Sequence, residues 1–272
     1  KAILQIFHGG RQCPPELLPD GQTVSASAVP AELPGGGNGP VPRALEEEEI
    51  IGIISDFREA TRRAIEAGFA IECDIQLSSD SVPMVFHDHD LQRLCNMNGE
   101  VRERTAGELR MLSIGGTKDK IPTLRQMLDL VKGRVPLVIE LKGINAEQDD
   151  GFVEAVLEVL EGYEGKVALM SFDYHLLRAL KVAECPWPVG LTAEGVKPEN
   201  FAAHREAMDL GLDFTSYCVA HLPNDFVSGL REKGTPVITW TVRDEIMRAQ
   251  TYKYADQMTF EGFDPRQSPA IA

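Results

Sequence analysis

The stretch that decides the fold runs from Phe69 to Arg93 and reads FAIECDIQLSSDSVPMVFHDHDLQR. It begins with an apolar run, Ala70 to Leu77, which predicts a short strand. Within this run Glu72 and Asp74 are two positions apart, so their side chains point to the same face of the strand. Two carboxylates on one face of an apolar strand cost free energy unless a positive group lies between them. A hard divalent cation is the simplest such group.

A second apolar run, Val82 to Phe86, ends in a cluster of titratable residues. These are His87, Asp88, His89 and Asp90. We expect Asp88 either to orient His87 or a substrate hydroxyl, or to cap the turn. We expect His89 to be solvated. An acid pair, a turn, a strand and a histidine predict a site for metal-assisted chemistry, with the remaining chain as its scaffold.

Composition limits the classes of partner. The chain has 272 residues, a net charge of −15, 43% hydrophobic and 25% charged residues, which suits one globular domain over 1–272. The negative charge argues against nucleic acid and against an anionic membrane surface as main partners. No apolar run approaches the roughly 20 residues of a bilayer span, so stable membrane insertion is not expected. The oligomeric state is left open.

The five cysteines are scattered and form no CxxC pair. This pattern favours free thiols in a reducing compartment over a disulfide framework or a zinc site. We therefore expect a cytoplasmic protein. Because the sequence begins at Lys1 without a methionine, a periplasmic or secreted location stays open.

The amino end combines a strand with a long irregular segment. Ala2 to Phe7 predicts a buried strand that ends at His8, a position that suits either a barrel active site or a structural role. Residues 12–50 are rich in Pro, Gly and Ser, and they predict a loop insertion. The insertion is either inert or a lid over the catalytic face. Residues 55–67 have the spacing of an amphipathic helix.

From residue 70 onward, predicted strands alternate with predicted helices. With the first strand, eight core strands begin near Ala2, Ala70, Val135, Val167, Pro188, Asp213, Pro236 and Asp256. Strict alternation implies parallel pairing with right-handed crossovers, and eight repeats close a (β/α)₈ TIM barrel. An open doubly wound sheet is the alternative. It is disfavoured because no GxGxxG sequence follows the first strand.

In such a barrel the carboxyl ends of all the strands face one rim. The side chains expected at or near that rim are His8, Glu72, Asp74, His87, Glu140, Lys142 and Trp240. Three carboxylates suit Mg²⁺ or Ca²⁺, and two histidines suit general acid–base catalysis. Lys142 could bind a phosphate oxygen or pair with a carboxylate. Trp240 could wall the substrate site or pack in the core.

These residues resemble the glycerophosphodiester phosphodiesterase family, a metal-dependent branch of the phospholipase-C-like barrels. The matching runs are AIEAGFAIECDIQLSSDSVPMVFHDHDLQR, GEVRERTAGELRML, IPTLRQMLDLV, RVPLVIELK, SFD and TWTV, which span most of Ala64 to Val242. The resemblance implies metal ligands at Glu72, Asp74 and Glu140, catalytic histidines at His8 and His87, and Lys142 near the phosphate. It also implies attack by the substrate's own neighbouring hydroxyl, followed by hydrolysis of a cyclic phosphate to sn-glycerol 3-phosphate.

The amino end departs from the family pattern. The chain has His8-Gly9-Gly10 where the family has His-Arg-Gly, and Ser55-Asp56 where it has Glu-Asn. Arg11 or a loop residue is the candidate substitute for the family arginine in binding phosphate. The expected function is metal-dependent hydrolysis of glycerophosphodiesters to sn-glycerol 3-phosphate and an alcohol. The alternatives are another phosphodiester, such as a sugar phosphodiester or a lysophospholipid, or a degenerate barrel that binds phosphodiesters without turnover.

Overall fold

The structure is a computed structural model, and it describes residues 3–5, 22–25, 41–44, 68–114, 120–263 and 265. Eleven strands lie in this part of the chain: β1 Ile3–Gln5, β2 Val24–Ser25, β3 Arg43–Ala44, β4 Ala70–Leu77, β5 Pro83–Val85, β6 Leu137–Leu141, β7 Val167–Ser171, β8 Val189–Ala193, β9 Phe214–Cys218, β10 Val237–Val242 and β11 Gln257–Phe260.

Eight parallel strands form a ring. The order is β1-β11-β10-β9-β8-β7-β6-β4, and β1 also pairs with β4, which closes the sheet. Strand β5 adds to β4 as an antiparallel arm. The predicted (β/α)₈ barrel is therefore confirmed, and its strands begin within two residues of the predicted positions. Strands β2 and β3 form a separate two-stranded parallel sheet within the predicted 12–50 loop.

The described helices are α1 Gln92–Cys95, α2 Ala106–Leu109, α3 Leu124–Val131, α4 Phe152–Leu160, α5 Tyr174–Val182, α6 Pro198–Met208, α7 Asp225–Glu232 and α8 Glu245–Tyr254. Polar residues at the N-cap position determine where several of these helices begin. Thr123, Asn224 and Asp244 each accept a hydrogen bond from a backbone N–H three residues later. The longer helices cover the outside of the ring, and their apolar faces bury the outward side chains of the strands.

The bottom of the barrel interior is filled by apolar side chains. Val138, Met170 and Phe214 are buried there together. Gly190 lies beside Phe214 in the strand register, and a Cβ at this glycine would lie 2.4 Å from the Phe214 ring. The missing side chain therefore makes room for the ring. In the strand register Glu72 lies opposite Val138 and Glu140 opposite Met170, so this apolar cluster borders the acidic side chains.

The residues between β5 and α3 have a small core of their own. Met84, Phe86, Leu91, Leu109 and Ile121 are buried together, apart from the main core. This excursion is anchored to the barrel by β5 and carries His87 at its start. The predicted helix over 105–112 is present but shorter, as α2.

Two predictions fall mostly outside the described residues: the lid or inert insertion over 12–50, and the helix over 55–67. Across the described ranges, no helix is both long enough and apolar enough to cross a membrane.

Candidate active site

Strand register brings the three predicted carboxylates together. Asp74 on β4 is directly opposite Glu140 on β6, and Glu72 lies one inward position below Asp74. One carboxylate oxygen from each lies within 4.8 Å of the other two. All three residues are buried, with exposed fractions of 5% for Glu72, 9% for Asp74 and 6% for Glu140. The predicted grouping is thus present in the folded chain.

The three carboxylates fit a hard divalent cation. Their oxygens are the donors that Mg²⁺ and Ca²⁺ prefer, and three acids at this spacing repel one another when all are ionised. At Glu140, burial, reinforced by the Asp74 charge, raises the pKa to about 7. A cation bound between the three carboxylates would offset both their mutual repulsion and the cost of burying them ionised. The neighbouring residue Cys73, whose side chain points to the opposite face of β4, is buried in the main core.

Lys142 lies at the mouth of this acidic group. Its Nζ is 3.2 Å from Asp74 Oδ1 and 3.4 Å from Glu140 Oε1. Burial alone lowers the pKa of the ammonium, but the two carboxylates outweigh burial and hold it above its usual value. The side chain is 17% exposed. Of the two predicted alternatives for Lys142, the structure contains the pairing with carboxylates, and this contact keeps a positive charge at the rim.

His87 is oriented by a carboxylate. Its Nδ1 lies 2.7 Å from Asp88 Oδ1. Asp88 also accepts from Arg93, at 2.5 Å from Nε and 2.6 Å from Nη2. Burial raises the pKa of the Asp88 carboxyl, but the hydrogen bonds from His87 and Arg93 outweigh it and hold the pKa well below its usual range. The ionised carboxylate favours the tautomer with the proton on Nδ1, which leaves the lone pair of neutral His87 on Nε2.

Two residues that support His87 were missed by the sequence reasoning. Gln76 is 1% exposed, and its Nε2 donates to Phe86 O at 3.0 Å and to Asp88 O at 2.5 Å. It lies two positions after Asp74, so strand alternation would have placed it on the acidic face. No sequence pattern indicated Arg93, because its contact with Asp88 depends on the conformation of the turn between the two residues.

Aromatic side chains cross the mouth of the barrel. Trp240 is half-buried on β10, and its Nε1 donates to Ser216 O at 3.1 Å. Its ring meets Phe172, which follows β7, edge to face at 5.5 Å between centroids. Phe172 was not predicted as a site residue. Phe172 is exposed and Trp240 is only half-buried, so the pair is not part of the closed core, and the role of Trp240 as a wall of the substrate site remains a prediction.

A second group of metal-ligand types lies across the rim. Glu194 follows β8, Cys218 is the last residue of β9, and His221 lies just after it. Their ligand atoms lie within 4.8 Å of one another. Nδ1 of His221 accepts a hydrogen bond from Gly195 N at 2.9 Å, so the neutral ring carries its proton on Nε2. Burial also raises the pKa of the Cys218 thiol. This group is therefore less ready to bind a cation than the three carboxylates.

His8 and Arg11 lie outside the described residues. Strand β1, whose last residue is Gln5, pairs with β4 in a register that sets Gln5 opposite Glu72. The chain thus leaves β1 on the side of the barrel where the three carboxylates lie. The catalytic role of His8 and the phosphate contact of Arg11 remain predictions.

Fold and site define the chain as a (β/α)₈ barrel with an acidic centre at its carboxyl rim. Residues 58–263 match the family model for the glycerophosphoryl diester phosphodiesterase family. A glycerophosphodiester phosphodiesterase of Caldanaerobacter subterraneus subsp. tengcongensis is 30% identical over 195 residues, which cover 67% of this chain and 78% of that protein. The chain belongs to the glycerophosphoryl diester phosphodiesterase family and is a phosphoric diester hydrolase, which confirms the resemblance drawn from the sequence.

Solved structures agree with the fold. A phosphodiesterase from Oleispira antarctica, solved in complex with its product sn-glycerol-3-phosphate, superposes with a TM-score of 0.65 at 22% identity. The match covers 72% of this chain and 83% of that one. At this identity the likeness supports the barrel architecture.

The amino end matches a different family. Residues 1–73 match the model for the NADH:flavin oxidoreductase / NADH oxidase family. A probable NADH-dependent flavin oxidoreductase of Bacillus subtilis is 51% identical over 69 residues, which are 25% of this chain and 17% of that protein. His8, Arg11 and the predicted insertion all lie in this stretch. The two matched regions overlap over residues 58–73.

Proposed function

We propose that this enzyme hydrolyses glycerophosphodiesters to sn-glycerol 3-phosphate and an alcohol, with a divalent cation held by Glu72, Asp74 and Glu140. The observation that carries the proposal is the meeting of these three buried carboxylates, with an oriented histidine, His87, near enough for its charge to act on Glu140. The family membership of residues 58–263 and the product bound by the Oleispira antarctica enzyme support the same reaction.

The cation would be Mg²⁺ or Ca²⁺, because all three donors are carboxylate oxygens. When bound, such a cation polarises a phosphoryl oxygen and offsets the negative charge that develops on it. The chain's own contribution is to keep the ligands close in a buried setting. Lys142 adds a positive charge at the open side of the group, where a phosphate oxygen can contact it.

His87 is proposed as the group that moves a proton. With Nδ1–H directed at Asp88, neutral His87 accepts a proton at Nε2 from the glycerol hydroxyl next to the phosphate. That hydroxyl oxygen then attacks phosphorus, and the alcohol leaves with a proton supplied by a second acid. Water opens the resulting cyclic phosphate and completes the hydrolysis. His8 is the proposed second acid, a role that rests on the family resemblance.

Single substitutions test the assignment of these roles. H87A and E72Q should each lower product release by about 10²-fold or more, as expected for loss of a positioned proton-transfer group or of a cation ligand. H89A is the matched control, because His89 is exposed in the same turn. Product is measured as sn-glycerol 3-phosphate formed from glycerophosphocholine and glycerophosphoethanolamine. Full activity in folded H87A or E72Q would rule out the assigned roles.

A degenerate barrel that binds phosphodiesters without turnover is the second candidate. One observation favours it: the first strand and its following segment match flavin oxidoreductases, and the chain has His8-Gly9-Gly10 where the family has His-Arg-Gly. Calorimetry with glycerophosphocholine separates the two candidates. Binding without product release favours the second, whereas steady product release excludes it.

A further inference from the structure

The turn that follows β6 is held by a buried ion pair. Asp149 has a side chain only 1% exposed, and its Oδ1 lies 2.6 Å from Arg102 Nη2. Its Oδ2 lies 2.6 Å from His175 Nε2 and accepts from Ile144 N at 2.8 Å. A carboxylate this deeply buried is costly unless its partners are fixed, so the contacts define one arrangement of the turn.

Arg102 spans both ends of this turn. Its Nη2 donates to Lys142 O and its Nη1 to Gln148 O, each at 3.1 Å. The first of these acceptors is the backbone of the lysine that contacts Asp74 and Glu140. Arg102 lies in the excursion that begins at His87, within a 3₁₀ turn over Val101–Glu103. The guanidinium thus ties the His87 excursion to the strand that carries Glu140.

Gly143 shows how closely the turn is packed. A Cβ on this residue would lie 2.5 Å from Asp149 Oδ2 and 3.0 Å from Asp173 Oδ2. The Gly143 N–H itself donates to Asp173 Oδ2 at 2.8 Å. Any side chain at position 143 would have to displace the Asp149 carboxylate, so the residue next to Lys142 is coupled to the ion pair by contact.

We infer that Arg102 and Asp149 are positioning residues for Lys142: their buried pair holds the turn so that the Lys142 ammonium stays between Asp74 and Glu140. The inference deepens the proposed function and rests on it for the role of Lys142 at the phosphate. A lysine at position 102 would keep the positive charge. It could not contact Asp149 and the carbonyls of Lys142 and Gln148 at the same time, because only a guanidinium has several N–H donors fixed in one plane.

The first test measures how Lys142 reacts with an amine-reactive ester in EDTA, followed by peptide mass spectrometry. In the parent protein the amine is largely covered and held by two carboxylates, so it reacts slowly. R102K should increase its labelling several-fold, and G143A should do the same. R231K is the control, since Arg231 contacts Asp256 and a backbone carbonyl at a distant site. It should leave labelling of Lys142 unchanged.

The second test is a double-mutant cycle on turnover. R102K alone should lower kcat/KM about tenfold, the scale seen for residues that orient catalytic groups. In a K142M background R102K should have little further effect, because its action passes through Lys142. Unchanged labelling of Lys142 in folded R102K and G143A would overturn the inference, as would an equal loss with and without Lys142. If the parent has no turnover, the proposed function fails while the labelling result still decides this inference.

Discussion

Among single residues, Glu140 shows most directly the free-energy cost of burying a carboxylate in the barrel interior. It lies on a strand whose five residues are all buried, opposite another acid. The sequence predicted a functional carboxylate at this position because packing alone gives no reason for one. The raised pKa of Glu140 agrees with that argument, since burial first and the Asp74 charge second disfavour the ionised carboxylate.

The pKa of Glu140 predicts a pH dependence of stability. The folded pKa of about 7 exceeds the ordinary value of 4.5, so the folded state binds the proton more tightly than the unfolded state. Its contribution to stability is complete below about pH 4.5 and is lost as the pH rises to about 7. In EDTA, the unfolding free energy of the parent relative to E140Q should therefore fall over this range. Denaturant titrations at several pH values measure it.

A difference between parent and E140Q that stays flat from acid to neutral pH would contradict this prediction. Added Mg²⁺ or Ca²⁺ should restore parent stability above neutral pH, since a cation replaces the proton at the carboxylates.

Asp88 gives a second prediction at this scale. D88N keeps the shape of the side chain but removes the charge that orients His87 and pairs with Arg93. Turnover should fall at least tenfold, because a positioned proton-transfer group contributes about 10²–10⁴-fold. D90N is the control, as Asp90 is an exposed acid in the same turn that accepts only a local backbone N–H among the described contacts. Steady-state rates for the two variants make the comparison, and equal rates would remove the orienting role.

Residue-level prediction worked where strand geometry decides position. Alternation placed Glu72 and Asp74 on one face, and the parallel register then placed Glu140 beside them. Arg93, Arg102 and Asp149 were missed because their contacts join segments far apart in sequence or follow irregular turns. No local period encodes such contacts, so the support around His87 and Lys142 became visible only in the folded chain.

Among the elements, β8 and β9 carry a specific packing requirement. Gly190 and Phe214 are cross-strand partners at the bottom of the barrel, where the ring occupies the space above the glycine. The sequence predicted both strands, but a single glycine in a short strand did not reveal which ring it accommodates. Packing of this kind is set by distances between strands and not by hydrophobic pattern.

G190A should lower the unfolding free energy by about 1–3 kcal/mol, since the added methyl overlaps the Phe214 ring in a packed interior. Thermal or denaturant unfolding measures the change. G229A in α7 is the matched control, because a Cβ there meets no described atom within 4 Å. An alanine inside a helix should stabilise it by up to about 1 kcal/mol. A neutral G190A would contradict the packing account.

At the scale of the whole molecule, the barrel joins segments that match two families. Residues 58–263 carry the carboxylates, His87 and Lys142, whereas residues 1–73 match flavin oxidoreductases. Two departures from the phosphodiesterase pattern found in the sequence, at His8-Gly9-Gly10 and Ser55-Asp56, lie in the second stretch. Strand β1 nevertheless pairs with both of its neighbours, β11 and β4, and so forms the first strand of the ring.

His8 tests whether the amino-terminal stretch contributes to catalysis. If it supplies the second acid, H8A should lower kcat by about 10²–10⁴-fold while cation binding, measured by calorimetry, is unchanged. H8A with parental kcat would exclude His8 as the second acid.

The central claim is that this barrel cleaves glycerophosphodiesters at a cation site formed by Glu72, Asp74 and Glu140. The most direct measurement is the release of sn-glycerol 3-phosphate from glycerophosphocholine by the full chain, with Mg²⁺, with Ca²⁺ and with EDTA. The account predicts release with at least one cation and none in EDTA. Release that persists in EDTA, or a folded protein that releases no product with either cation, would contradict it.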